Sequence, residues 1–331
     1  MTTAPNTPER TARPARRQAV LTVLETTEVS PHLVRIRLGG DTFDNINSND
    51  ATDKYVKLLF ADPAHELVPP YDLTELREQS PEKLPSRRTY TVREINLDEK
   101  WLSIDFIIHD DDGIAGPWAK NAKPGDTLVL SGAGGKYAPA AESDWHLLIA
   151  DHSAIPAVSS AIEAMPTGAT GVVLACVTDE ADRVLPEAAA GVEVRWIDSQ
   201  EELIAAVEGL EWRAGTPQVF AHGERETIKV IRKILKDREV PRESLSISAY
   251  WAQGRAEDQF QAEKREPIGQ IDWLHCPADS AATAREEEGR SADGDESDSD
   301  TAEDEVLTEV GTGARQRITV GVVRAFGIIG G

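Results

Sequence analysis

The spacing of apolar runs changes character near residue 140, and that change divides the chain into two parts built on different plans. Before it, short runs at residues 20–26, 31–38, 54–60, 87–95, 100–109 and 127–131 are separated by turn residues, with no convincing helix between most of them. In the second run Val34, Ile36 and Leu38 alternate with Arg35 and Arg37, the period-two pattern of a half-buried strand. Gly39-Gly40-Asp41 and Pro124-Gly125-Asp126 mark turns. Six such strands predict a small antiparallel barrel. After it, strands at 145–150, 171–178, 191–197, 218–222 and 245–251 alternate with helical patterns at 153–165, 201–208 and 224–236. Alternation of that kind predicts a parallel sheet with ligands at the carboxyl ends of its strands. The expected organisation is a disordered leader over 1–17, an antiparallel barrel over 18–140, an α/β domain over 142–272 and an acidic, largely disordered tail over 273–331.

Charge and cysteine content exclude several classes. The formal net charge of the 331 residues is −23, which argues against nucleic acid or an anionic membrane as the main partner. Between Glu286 and Glu309 twelve acids face one base, Arg290, so −11 of that charge is local and −12 is left for the rest of the chain. The two cysteines, Cys176 and Cys276, form neither a disulfide framework nor a metal pair, so a cytoplasmic location is expected. No stretch approaches the roughly 20 apolar residues that span a bilayer. The acids of His109-Asp110-Asp111-Asp112 have the wrong spacing for a calcium loop, and no resident metal is expected.

Two stretches carry candidate chemistry. In Arg87-Arg88-Thr89-Tyr90-Thr91-Val92-Arg93, alternation puts Arg88, Tyr90 and Val92 on one side and Thr89, Thr91 and Arg93 on the other. A guanidinium grips a phosphate through paired charge-assisted bonds. A tyrosine can lie against a planar ring, and a hydroxyl can bond to its edge, so the set suits a flavin, although a half-exposed strand with a solvated arginine has the same pattern. Downstream, Gly113-Ile114-Ala115-Gly116-Pro117-Trp118 permits close backbone approach to a pyrophosphate, or is simply a turn leading into a short helix. The fingerprint GxGxxG is absent after the first strand of the second part, which reads Asp151-His152-Ser153-Ala154-Ile155-Pro156-Ala157. Gly132-Ala133-Gly134-Gly135 opens no helix and reads as an interdomain turn.

Taken together, the chain resembles the ferredoxin–NADP reductase superfamily, and within it the siderophore-interacting proteins, or ferric-siderophore reductases. The resemblance covers about residues 15–272. It rests on Tyr55-Val56-Lys57-Leu58-Leu59-Phe60, the Arg88–Arg93 stretch, Asp105-Phe106-Ile107-Ile108-His109, residues 113–118, Lys123-Pro124-Gly125-Asp126, the segment beginning at Asp151, Gly223-Glu224, and Tyr250-Trp251 with Gly254. It implies a flavin-dependent reductase that passes electrons from NAD(P)H through FAD to a ferric siderophore and releases Fe(II). FAD contacts are implied at Arg88, Tyr90, Thr91, His109, Gly113, Ala115, Gly116, Trp118, Asp151 and Ser153. Gly223, Glu224 and Trp251 would serve FAD or NAD(P)H. Lys57, Lys136 and Arg255 would meet an anionic siderophore, and a monomer is expected. His152 stands where the family has an acid, and Ala252-Gln253 where it often has an arginine. After the second parallel strand Asp179, Glu180 and Asp182 disfavour a 2′-phosphate while Arg183 favours one, so NADH and NADPH both stay open. Alternatives are a flavoprotein reductase serving a protein acceptor such as a ferredoxin, and a siderophore-binding module without redox activity.

Overall fold

The computed structural model describes residues 17–46, 49–108, 113–264, 266–269 and 271. The expected leader and acidic tail, and His109, lie outside the described residues.

The first part is an antiparallel sheet of seven strands: β1 (Gln18–Ser30), β2 (Leu33–Gly39), β3 (Tyr55–Phe60), β4 (Ser86–Thr91), β5 (Glu94–Asn96), β6 (Trp101–Ile107) and β7 (Thr127–Gly134). Their order is β4-β3-β7-β1-β2-β6-β5. The predicted single strand at 87–95 is two, and the break between them closes the sheet. Val92 donates its N–H to Lys54 O at 2.8 Å, while Arg93 donates to Ser103 O at 2.8 Å. One stretch of chain therefore pairs with β3 through its first half and with β6 through its second. The inner face of the closed sheet is filled by residues such as Leu21, Ile36, Val56, Leu58, Ile104, Phe106 and Leu130, all at most 1% exposed.

The glycine cluster at 132–135 corrects the sequence expectation. β7 continues through Gly134 instead of turning at Ser131. Its register against β3 slips between Val56↔Ala133 and Lys57↔Ser131, and Gly132 sits in that slip at φ +62°. This is a bulge that needs a residue at ease with positive φ.

The second part is a parallel sheet of β8 (Trp145–Asp151), β9 (Thr170–Cys176), β10 (Gly191–Ile197), β11 (Pro217–Glu224) and β12 (Leu245–Trp251). Its order is β10-β9-β8-β11-β12. The central β8 is buried at every residue, as expected of a strand covered on both faces. Helices α3 (Ile155–Glu163), α4 (Gln200–Glu208) and α5 (Arg225–Asp237) follow the predicted positions, α3 starting two residues late after a short 3-10 turn. Ile228, Ile231 and Leu235 of α5 are buried at helical spacing. Two short helices precede them, α1 (Leu73–Gln79), capped by Asp72, and α2 (Ala115–Asn121). A further helix, α6 (Glu257–Glu263), has no counterpart in the sequence pattern. It is held by Phe260, 1% exposed against Ala249 and Ala252, and by Glu263 between Arg225 and Arg255. No helix among the described residues is long and apolar enough to cross a membrane.

Polar contacts tie the two parts together. Arg93, only 8% exposed, makes a two-pronged bond to Glu163 at 2.6 and 2.8 Å, and Ser160 donates to Arg93 O at 2.9 Å. Elsewhere Asp182, behind β9, accepts from Ser30 Oγ (2.6 Å), His32 N–H (3.1 Å) and the His32 ring (2.8 Å). Burial alone would raise the Asp182 carboxyl, but these donors outweigh it and hold it below the usual carboxylate range. Replacing Glu163 by Ala strands the Arg93 guanidinium in a nearly dry position. Glu163→Ala should cost about 2 kcal/mol of stability, read as a lower midpoint in urea unfolding, with Glu163→Asp recovering part of it.

Candidate active site where the barrel edge meets the parallel sheet

The carboxyl ends of β8, β11 and β12 converge on one buried carboxylate. Asp151, 3% exposed, ends β8. Its Oδ1 accepts from Ser153 N (2.9 Å) and Ser153 Oγ (2.5 Å). Its Oδ2 accepts from Glu224 N (2.7 Å) and the indole N–H of Trp251 (2.7 Å), with Gln200 Nε2 at 3.5 Å. Gly223 explains why the two strands approach so closely, since a Cβ there would lie 2.7 Å from Asp151 Oδ2.

Glu224 follows, and its carboxylate is equally occupied. Its Oε2 caps α5 through Glu226 N (2.6 Å) and Thr227 N (2.9 Å), while its Oε1 accepts from Gln253 N at 3.1 Å. The structure therefore brings Asp151, Ser153, Gly223, Glu224 and Trp251 together, but as a polar scaffold. Ser153 spends its hydroxyl on Asp151, Asp151 accepts from Ser153, backbone and the Trp251 indole, Glu224 accepts from backbone, and Trp251, 38% exposed, presents a broad surface outward.

Next to this scaffold stands Tyr250, to which the motif pattern assigns no role. Its phenol lies near the side chain of Thr91 on β4, and burial, with Asp53 and Asp151 nearby, pushes that phenol well above the ordinary value. Thr91 thereby places the barrel edge near the carboxyl end of β12. Behind Tyr250 lies His222, edge-on at 5.0 Å and stacked on Phe220 at 3.9 Å.

On the barrel side β4 is the end strand of its sheet. Register places Thr91 opposite Tyr55, Thr89 opposite Lys57 and Arg88 opposite Leu58. Lys57 Nζ donates to Thr89 Oγ1 at 2.8 Å and lies 5.2 Å from the Tyr55 ring centroid. The ring crosses β7 at Gly134, where a Cβ would lie 2.3 Å from Tyr55 Cζ. Asp53, which no sequence motif marks, fixes the following turn by accepting from Lys136 N (2.8 Å) and Tyr137 N (2.9 Å).

The remaining predicted residues are scattered by comparison. Tyr90 sits on the inward side of β4 with its ring 4.6 Å from Phe106. Arg88, with an 18% exposed side chain, makes two long 3.4 Å contacts to Asp258 of α6 and donates to Arg87 O at 2.9 Å. Ala115 is buried in the barrel core, and Trp118 packs on Phe60 and Phe106 at 5.8 and 5.6 Å, so their side chains face inward. Gly113 is exposed, and Gly116 lies beside the end of β6, where a Cβ would meet Ile107 O at 3.4 Å. Arg255 is engaged by Glu263 at 2.7 Å, and Lys136 is exposed.

Comparison with known proteins agrees with this architecture. Residues 22–137 match the model of the siderophore-interacting FAD-binding domain, and residues 143–254 that of the siderophore-interacting protein. Ferric vibriobactin reductase of Vibrio cholerae is 30% identical over 71% of this chain and 90% of its own length. The NADPH-dependent ferric-chelate reductase of Escherichia coli is 28% identical over 76% and 99%. Among solved structures, the siderophore-interacting protein SipS from Aeromonas hydrophila superposes with a TM-score of 0.66 at 28% identity, covering 78% of this chain and all of that one.

His222 supplies a pH test of the scaffold. Burial lowers its imidazole from 6.5 to about 3, so the folded protein keeps it neutral while the unfolded chain takes up a proton below pH 6.5. Its contribution to stability is present above pH 6.5 and is lost as the pH falls towards 3. Wild type should lose up to about 2 kcal/mol more than His222→Phe between about pH 6.5 and 5 in urea titrations. The chain belongs to the siderophore-interacting protein family, with the two-domain fold of the ferredoxin reductases.

Proposed function

We propose that this protein is an FAD-dependent reductase that passes electrons from NAD(P)H to a ferric siderophore and releases iron as Fe(II). The observation that carries the reading is that the barrel's end strand, which ends at Thr91, is tied two residues later to α3 of the α/β domain by Arg93, with Thr91 itself near Tyr250 at the carboxyl end of β12. A flavin site on the barrel edge and a nucleotide site at the strand ends are then neighbours, as hydride transfer requires.

The residues present fit FAD by their donor chemistry. Arg88 offers a guanidinium whose contacts to acid are long, Lys57 an ammonium, and Thr89 and Thr91 hydroxyls, all on or opposite one end strand. Among the described residues β4 has no strand on its outer side, so a flat ligand laid along that edge is reached by side chains of both its faces. Arg88 would hold phosphate, Tyr90, backed by Phe106, would support the ring, and Thr91 would bond to its polar edge. Gly113 and Gly116 would allow the pyrophosphate to approach backbone. Bound FAD supplies the conversion of a hydride donor into single-electron delivery to Fe(III).

Trp251, held by Asp151, would shield the ring on the α/β side. Asp151 and Ser153 act in this reading by positioning Trp251 and the start of α3. Gly223 and Glu224 keep the strand end at the depth a nicotinamide needs. At the iron no proton transfer is required. Hard oxygen ligands hold Fe(II) more weakly than Fe(III), so reduction itself loosens the chelate. The chain as a whole is acidic, which makes Lys57 and Lys136 the cations that would receive an anionic chelate. Arg255, the third candidate, is paired with Glu263 at 2.7 Å.

Purified protein should show oxidised-flavin absorbance that bleaches anaerobically on addition of NADH or NADPH and returns on addition of a ferric siderophore. A colourless protein that takes up no FAD would sink the assignment, and bleaching that only a small redox protein reverses would favour a protein acceptor. Arg88→Ala should weaken FAD binding by roughly 10- to 100-fold, one charge-assisted contact being worth about 1.5–3 kcal/mol. Tyr90→Phe, which keeps the ring, should cost less. Flavin fluorescence titration measures both. Lys57→Glu should raise KM for an anionic ferric siderophore several-fold, by charge reversal at short range.

A further inference from the structure

We infer that the carboxyl ends of β9 and β10 select NADH over NADPH, an inference that rests on the reductase reading. The strand order β10-β9-β8-β11-β12 reverses direction between β8 and β11, and nucleotides cross such a sheet at that point. The barrel edge approaches β12 where Thr91 lies near Tyr250, beside the Arg93–Glu163 tie to α3. A nicotinamide delivered there leaves the adenosine half to extend the other way, over the ends of β9 and β10. In sheets of this kind an acid at the end of the second strand takes the ribose 2′-hydroxyl, and an arginine takes a 2′-phosphate.

Here the arginine is spent. Arg183 is the only base in residues 177–191, and residues 196–212 hold none. Its guanidinium is in contact with the Asp198 carboxylate at the end of β10, and its Nε donates to Val177 O at 3.2 Å. The neighbours are acids. Asp179, Glu180, Asp198, Glu201 and Glu202 are all exposed at these strand ends, while Asp182 is turned inward onto Ser30 and His32. The Cys176 thiol at the tip of β9 feels the same field. It is pushed up to about 12, first by burial and then by Asp151, Asp198, Glu202 and Glu201. A 2′-hydroxyl finds acceptors at this place, whereas a 2′-phosphate brings up to two negative charges into a negative field whose arginine is already neutralised.

The FAD-loaded full-length protein tests this in two ways. Anaerobic flavin reduction should give a kcat/KM for NADH roughly tenfold or more above that for NADPH. Independently of turnover, calorimetry should show 5′-AMP binding more tightly than adenosine 2′,5′-bisphosphate. Asp198→Asn removes one charge and releases Arg183, so it should tighten the bisphosphate several-fold. Thermal unfolding checks that the variant is folded. If NADPH reduces the flavin as well as NADH does, or the bisphosphate binds as tightly as AMP, the selectivity is overturned while the reductase reading stands. If Asp198→Asn weakens the bisphosphate, Arg183 already serves the phosphate with Asp198 as its support, and the inference is equally wrong. A flavin that neither nucleotide bleaches overturns the reductase reading instead, and the ranking of AMP and bisphosphate then decides the selectivity of the adenosine site alone.

Discussion

A single buried carboxylate at the end of the central parallel strand is the constraint around which the rest is arranged. Asp151 receives donors from β11, from β12 and from the turn that opens α3. An acid placed this deep costs several kcal/mol unless hydrogen bonds replace its hydration; four good donors offset part of that here, and burial still holds the carboxyl above its usual range. Each of these donors also fixes something else. The Glu224 N–H sets the depth of β11 and so the position of the α5 cap, the indole fixes the Trp251 plane, and Ser153 ties off the first turn before α3. Gly223 is required because no Cβ fits beside the carboxylate. Removing this one side chain would take the acceptor from the ends of β11 and β12 and from the turn before α3 at once.

The barrel contributes a different constraint, which is how it closes. The Val92–Arg93 step hands the chain from β3 to β6, leaving β4 as an edge whose outer side is not used up by a strand among the described residues. An exposed strand edge is normally an aggregation hazard. In this chain the edge is short, carries Arg87 and Arg88, and has Asp258 of α6 at 3.4 Å from Arg88. Those features protect an edge and equally prepare it for a polar, flat ligand. Arg93 then locks the closed seam to α3 through Glu163, so the feature that closes the barrel also holds the α/β domain against it.

Much of this is legible in the sequence, and the reasons differ by element. The five parallel strands read clearly because burial on both faces demands unbroken apolar runs, as in Trp145–Asp151. The helices read clearly because α5 keeps Ile228, Ile231 and Leu235 in phase. The barrel reads as six strands because a corner inside 86–96 leaves no composition signal when the residues at the bend, Val92 and Arg93, are ordinary strand residues. The glycines at 132–135 mislead for the opposite reason, since glycine marks a bulge as readily as a turn and only pairing with β3 tells them apart. α6 stays hidden because its anchor is a single aromatic, Phe260, and one buried residue makes no periodicity. At the site, the motif residues are identifiable but their bonding is not. Nothing in Gly223-Glu224 says that the glutamate is a helix cap, and nothing in Arg183 says that Asp198, fifteen residues on, has claimed it.

That last distinction bears on how charge works in an acidic protein. With net charge −23, the mean field opposes every anionic ligand, and screening removes most of it beyond about 8 Å in physiological salt. Binding of phosphates and anionic chelates then depends on what already holds each cation at short range, not on how many cations the chain carries. Arg93, Arg183, Arg225 and Arg255 are each held by a carboxylate at close distance and serve as structural ties. Arg88 differs, since its contacts to acid are long and the acid, Asp258, is exposed to water. It can exchange that partner for a ligand's oxygens at little cost, because an exposed carboxylate left behind is simply rehydrated. Across the strand pair Lys57 rests against the Thr89 hydroxyl and the Tyr55 ring, which places its ammonium at the same edge. Anion binding in this fold is therefore favoured where a cation's acidic partner is weak or distant, and for Arg88 that place is the barrel's open edge.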